Sequence, residues 1–138
     1  MKRKVSLILV LAMVMIAILQ FSLLASDISL RNNNTIQTDT TFSIFNDGMA
    51  MVYVGYEGYP SVTTGATITI TIEKRNLLLF WRDIVSETIT VSGDYYSNEL
   101  TYQLDSTGTY RCTVEYVVSG TGGADDVITF EDTKTYSN

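Results

Sequence analysis

Histidine is absent from this chain, and cysteine and proline each occur once in its 138 residues. Without histidine the chain cannot build a Ser-His or Cys-His catalytic pair, nor a zinc or haem site that uses imidazole. The single cysteine, Cys112, excludes an internal disulfide and a Cys-x-x-Cys site. Because these absences remove most familiar chemistries, we expect no cofactor and no enzymatic activity.

Basic residues are also scarce, with 9 Lys and Arg against 15 Asp and Glu. Three of the basic residues lie in the first four positions and every acid lies after residue 26, so the rest of the chain carries about −9 (6 basic minus 15 acidic). An acidic chain with no basic run binds nucleic acid and anionic lipid poorly. We therefore expect no nucleic-acid partner, and membrane contact only through the N-terminal segment.

That N-terminal segment is a basic start followed by an apolar stretch from Val5 to Leu24 and by the small residues Ala25 and Ser26. These are the parts of a secretory signal peptide. An uncleaved membrane anchor is the alternative, because about twenty apolar residues also span a bilayer and Leu23 is bulky so close to the cleavage point.

Either interpretation places the remainder of the chain outside the cell, secreted or held at the membrane. We expect a signal peptide or anchor at 1–26, a polar leader at 27–35 and one folded domain at 36–138. About 110 residues are enough to bury a core without metal or disulfide.

Strand patterns fill the predicted domain. Ile68, Ile70 and Ile72 alternate with threonine, and a second alternation runs from Tyr110 to Val118. A period of two indicates strands with one face in a core. About seven such segments, separated by turn signals of which Asn46-Asp47-Gly48 is the strongest, predict an all-β, antiparallel β-sandwich. The N-terminal export segment is the only helix that we expect.

The stretch from Leu77 to Val91 is the least regular. Trp81 and Val85 share strand parity with the acids Asp83 and Glu87, which implies a bulge, a bend or two strands broken near Ser86. The apolar start would also suit a helix, but the β-branched residues that follow favour strand.

The segment Asp105…Gly108-Thr-Tyr110-Arg-Cys112 resembles strand F of immunoglobulin-like domains, in which a tyrosine stands two residues before a cysteine. The resemblance implies an Ig-like sandwich, a tyrosine corner at Tyr110, and a strand C role for Trp81 after a strand B that holds Ile68 and Ile70. The partner cysteine is replaced by isoleucine, so the resemblance implies no disulfide, and Cys112 is then a buried apolar residue.

The chain after residue 35 also resembles a loose group of small exported proteins from Gram-positive bacteria. The shared features are the Ile68–Lys74 strand, the Trp81–Val85 strand, the Gly108–Cys112 strand and a Gly-rich final hairpin from Gly120. This group has no assigned activity, so the resemblance implies export and fold only.

Two sets of side chains are candidate sites. Exposed tyrosines can stack on sugars or anchor a protein interface, and four lie in or beside predicted loops: Tyr56, Tyr59, Tyr95 and Tyr96. Acids near the last strand could hold Ca²⁺, although a solvated acidic edge is the favoured interpretation; they are Asp125, Asp126, Glu131 and Asp132.

Three classes of function follow from these patterns. The favoured one is a binding or adhesion module whose partner is an unidentified glycan or protein. The second is a structural subunit that pairs through a strand edge, for which Ile36–Phe45 is the candidate strand. The third, a hydrolase using Asp83 and Glu87, is disfavoured because carboxylates four residues apart on a strand are roughly 13 Å apart.

Overall fold

The computed structural model describes residues 32–137. Asn32–Asn138 forms one compact unit. The predicted signal peptide or anchor at 1–26, with its export helix, and most of the leader therefore lie outside the described residues. Between residues 32 and 137, no helix has the length and apolarity needed to cross a bilayer.

Seven antiparallel strands form this unit, in two sheets. One sheet has the order β1–β2–β5 and the other the order β4–β3–β6–β7. The all-β, two-sheet sandwich predicted from the alternation is confirmed. The strands are β1 (Thr35–Ile44), β2 (Met49–Gly58), β3 (Thr63–Arg75), β4 (Trp81–Ser92), β5 (Tyr95–Gln103), β6 (Gly108–Gly120) and β7 (Asp126–Tyr136).

The core comes from alternate residues of the central strands β2, β3 and β6, which turn one face of each sheet toward the other. Because Val, Ile and Tyr recur at every second position, each strand buries one complete row of side chains. Among the described residues, every fully buried apolar side chain lies between positions 42 and 118, within the compact unit Asn32–Asn138. A compact unit that carries its own core can in principle fold alone. The fully buried apolar side chains include Val52, Val54, Ile68, Ile70, Ile72, Cys112, Val114, Tyr116 and Val118.

The irregular stretch resolves as a β-bulge in β4. Ile72 pairs with Val85 but Glu73 pairs with Asp83, which leaves Ile84 as the extra residue. After the bulge, alternate residues from Val85 onward turn toward the core, whereas Ile84 stays 43% exposed. The bulge prediction is confirmed, and the helical alternative is wrong.

The structure corrects three placements. Tyr95 and Tyr96 begin β5 instead of lying in a loop, because Gly93 adopts φ 101° and completes the turn first. Thr35 belongs to β1 and is buried, so the end of the leader is structured. Ile68 and Ile70 lie on β3 and Trp81 begins β4, and these strands are neighbours in one sheet. Because strands B and C of an Ig domain belong to different sheets, the strand B and strand C positions implied by the resemblance do not hold.

Candidate binding surface

The four candidate tyrosines do not form one exposed aromatic surface. Tyr56 is only 2% exposed, and its hydroxyl donates to the carbonyl oxygen of Gly93 at 2.7 Å. Burial, followed by the nearby Asp94, raises its pKa. Tyr96 packs against the core and Tyr59 is half-buried, so Tyr95 alone is widely exposed, at 66%. Tyr56 is therefore not available for stacking on a ligand.

Three of the four tyrosines, all but Tyr59, line a shallow hollow beside β1 and β2. Its volume is about 120 Å³, well below the ~300 Å³ at which small-molecule sites begin. Sequence reasoning missed the structural role of several tyrosines, whose hydroxyl groups form hydrogen bonds between different strands of the fold. Tyr116 of β6, for example, shares a 2.6 Å hydrogen bond with the Thr40 hydroxyl of β1, in the other sheet.

Both carboxylate oxygens of Asp126, a candidate calcium ligand, already accept hydrogen bonds from the residues that precede and begin β1. Its carboxylate accepts hydrogen bonds from the backbone N–H groups of Asn33 and Asn34 at 2.8 and 2.7 Å, and from the Thr35 hydroxyl at 2.9 Å. Burial alone raises the pKa of Asp126, but these donors outweigh burial and hold the pKa below its usual value. The carboxylate ties the start of β1 to β7.

The other three acids do not join Asp126. Asp125 is exposed. Glu131 lies five residues after Asp126 in β7, which separates their backbones by about 17 Å at ~3.4 Å per residue. Asp132 forms a 2.9 Å salt bridge with Lys134. Across residues 32–137, no three potential ligands come together to hold a metal ion.

Asp83 and Glu87 are likewise separated. The bulge leaves Asp83 exposed next to Arg82, whereas Glu87 is half-buried and accepts a 2.6 Å hydrogen bond from the Tyr102 hydroxyl. The two carboxylates therefore differ in environment, and Glu87 already has a partner in the opposite sheet.

The residues assigned structural roles lie as follows. The Tyr110 hydroxyl donates to the carbonyl oxygen of Ser106, four residues upstream, which is tyrosine-corner geometry. Cys112 is fully buried, and burial, with a smaller contribution from Asp132, raises its pKa to about 12. Trp81 is partly exposed, with the Arg111 guanidinium 4.5 Å from the centre of its ring.

The three most exposed large apolar side chains of the described residues lie between β3 and β4, in a run of four. Leu77, Leu78, Leu79 and Phe80, named here the apolar tip, are 101%, 75%, 64% and 67% exposed. Sequence reasoning missed this surface because it assigned the apolar run to the start of a strand or helix. The signal that could have found it is Lys74-Arg75-Asn76, a polar turn placed directly before the run.

Asn76 shapes the apolar tip. Its side-chain oxygen accepts hydrogen bonds from the N–H groups of Leu78 and Phe80 at 2.9 and 3.0 Å. Its backbone carbonyl accepts the N–H of Leu79, and its own N–H donates to the carbonyl of Phe80. Leu79 adopts φ 67°, a conformation that glycine or asparagine adopts more readily. The turn therefore holds a large apolar side chain outward at a cost in backbone strain.

Basic residues surround the base of the apolar tip. Lys74 and Arg82 are direct cross-strand partners, and Arg75 pairs with Trp81. With Leu77, Leu78 and Ile84, these cations line an open groove of about 640 Å³. None of the three cations forms a salt bridge to another residue between 32 and 137. The hairpin thus creates a basic cluster that the linear sequence does not show.

No protein-family model matches this chain, and no curated protein matches it.

Proposed function

We propose that this protein is an exported, non-catalytic binding module of the Ig-like β-sandwich class, and that the apolar tip is its recognition surface. The observation that carries this proposal is the exposure of four consecutive large apolar residues on one hairpin. Contiguous exposed apolar surface in a folded domain is typical of an interaction site.

The energetics support a functional reason for the apolar tip. Burying one leucine side chain is worth about 1.5–3 kcal/mol, and these residues forgo that gain in the isolated domain. Leu79 in addition occupies a left-handed conformation. Residues that break local rules without benefit to the fold are expected at functional sites.

The finer class and the compartment are supported by separate features. The Tyr110–Ser106 hydrogen bond and the buried Cys112 two residues later favour an Ig-like sandwich. The basic and apolar N-terminal sequence favours export.

Cell-surface retention tests the proposal. The domain, residues 32–138, is added to washed cells of a Gram-positive bacterium, and the cell-bound fraction is measured by pelleting. We expect the wild-type domain to pellet with the cells and the double variant Leu77→Ser, Leu78→Ser to stay in the supernatant.

The matched control removes two exposed apolar side chains at the opposite end of the sandwich, Ile36→Ser with Val127→Ser, which are 45% and 62% exposed in the wild type. This variant should bind as wild type does. Equal binding by all three proteins, or binding by none, would show that the apolar tip is not the recognition surface.

Assembly through a strand edge is the second candidate. In the described part of the chain β1 pairs only with β2, and Asp39 is its single charged residue. The edge strands of the other sheet carry more charge, which discourages pairing; β4 has Arg82, Asp83 and Glu87, and β7 has Asp126, Glu131, Asp132 and Lys134. The remaining edge strand, β5, also has one charged residue, Glu99. If β1 mediates assembly, sedimentation will show concentration-dependent association that Thr41→Lys abolishes.

A further inference from the structure

We propose that the apolar tip inserts into the interface of a bilayer that contains anionic phospholipid, with Lys74, Arg75 and Arg82 binding the lipid phosphates. This inference rests on the proposed function, because it assigns a partner to the same recognition surface. It also departs from the sequence-based expectation that only the N-terminal segment contacts a membrane.

The backbone of the apolar tip suits entry into lipid. Polar N–H groups that leave water must find partners within the protein, since lipid chains offer none. Asn76 accepts hydrogen bonds from the N–H groups of Leu78, Leu79 and Phe80. The loop can therefore leave water with these groups already paired, while its large side chains point away from the core.

The basic residues at the base of the apolar tip favour a lipid surface of negative charge. Lys74 lies opposite Arg82 on paired strands, which places two positive charges next to each other. The Lys74 ammonium group also donates to the Ser106 hydroxyl and lies 5.5 Å from the centre of the Tyr110 ring.

Three of the six basic residues found after residue 26 lie within positions 74–82, although the chain after residue 26 carries about −9. Of the two acids that flank these positions, Glu73 forms a salt bridge with Arg111 and Asp83 is exposed. Each basic residue near an anionic surface contributes about 1 kcal/mol to binding, which is about fivefold in affinity.

The groove at the base of the apolar tip is lined by both basic and apolar side chains. It places the cations beside Leu77, Leu78 and Ile84, so a phosphate could sit at its polar side while acyl chains meet the leucines. Asp47 and Asp105 lie in turns at the same end of the sandwich. Because carboxylates are repelled by anionic lipid, these two, with the exposed Asp83 directly after Arg82, restrict contact to the outer end of the β3–β4 hairpin.

The natural probe for the test is Trp81, the one tryptophan of the chain, which follows the apolar tip directly. Residues 32–138 are mixed with vesicles of phosphatidylcholine alone, or with phosphatidylglycerol as about a third of the lipid. Sedimentation measures partitioning, and the emission wavelength of Trp81 reports its surroundings. We expect binding and a blue shift on the anionic vesicles, both weakened by salt.

Two variants separate the contributions. Leu77→Ser with Leu78→Ser should lower partitioning at least about tenfold, because two inserted leucines are lost. Arg75→Gln with Arg82→Gln should lower it about 10- to 30-fold on anionic vesicles and leave neutral vesicles unchanged. Ile36→Ser with Val127→Ser serves again as the control and should bind as wild type does.

Three results would overturn the lipid proposal. Equal binding to neutral and anionic vesicles would remove the role of the cations. Tip-dependent self-association without vesicle binding would make a second copy of the domain the occupant. Retention on cells that depends on the apolar tip, with no vesicle binding, would leave the proposed function standing with a protein or glycan partner.

Discussion

The Tyr102 hydroxyl donates a 2.6 Å hydrogen bond to the Glu87 carboxylate and thereby joins β5 of one sheet to β4 of the other. Burial is the largest cause of a strongly raised pKa at Tyr102, followed by the hydrogen bond to Glu87. The phenol therefore stays protonated and remains a donor across the ordinary pH range.

Removing that donor should destabilise the domain. Tyr102→Phe leaves the half-buried Glu87 carboxylate without this partner, and we expect a loss of about 1–3 kcal/mol in the free energy of unfolding. Urea denaturation of residues 32–138 measures it. Replacing both residues, Tyr102→Phe with Glu87→Leu, should recover part of the loss, since no charge is then left unpaired. Unchanged stability in Tyr102→Phe would mean that the bond contributes nothing.

Asp126 should make the stability of the domain depend on acid. Its pKa in the fold is lower than the usual 3.8 because backbone and hydroxyl donors stabilise the carboxylate. A lowered pKa adds stability that is fully present well above pH 3.8 and is lost as the pH falls below that value toward the pKa of the folded state.

The comparison of wild type with Asp126→Asn isolates this effect. The asparagine cannot become charged and offers one acceptor where the carboxylate offers two, so we expect it to be less stable by about 1–3 kcal/mol at pH 7. The difference should shrink as the pH is lowered, as urea denaturation at several pH values will show. A difference that is constant with pH would contradict the assignment of Asp126 as the titrating group.

Cys112 should be unreactive in the native domain. Its thiol is fully buried and burial raises its pKa to about 12, so the reactive thiolate is negligible near neutral pH. We expect a disulfide reagent at pH 8 to label Cys112 only after denaturant is added. Rapid labelling of the folded protein would show that β6 opens.

The shape of the apolar tip should trade stability against binding. Leu79→Gly relieves the backbone strain of a leucine at φ 67°. We expect the free energy of unfolding to stay unchanged or to rise by up to about 1 kcal/mol, as thermal or urea denaturation will show. It also removes one exposed apolar side chain, so cell or vesicle binding should fall.

Asn76→Ala gives the opposite test of the same turn. It removes the acceptor for the N–H groups of Leu78 and Phe80, so we expect lower binding even though every apolar side chain remains. Binding equal to wild type in this variant would mean that the turn conformation is unimportant. Circular dichroism of both variants confirms that the β-sandwich is retained.

The sequence by itself determined the strands, because a strand with one buried face must repeat its apolar residues with period two, and that repeat is local. The alternation around Ile70 and Val114 therefore predicted β3 and β6 and the all-β class. The parity conflict between Trp81 and Asp83 likewise predicted an irregularity, and the bulge at Ile84 resolves it.

Tertiary structure alone decided which side chains meet, because partners distant in sequence are set by strand order and register. The sequence shows Tyr56 and Glu87 as a candidate binding tyrosine and a candidate acid, and only the packing of the sheets gives them Gly93 and Tyr102 as partners. In the same way Lys74 and Arg82 are eight positions apart, in a part of the chain that has no long basic run. The hairpin register places them opposite each other beneath the apolar tip.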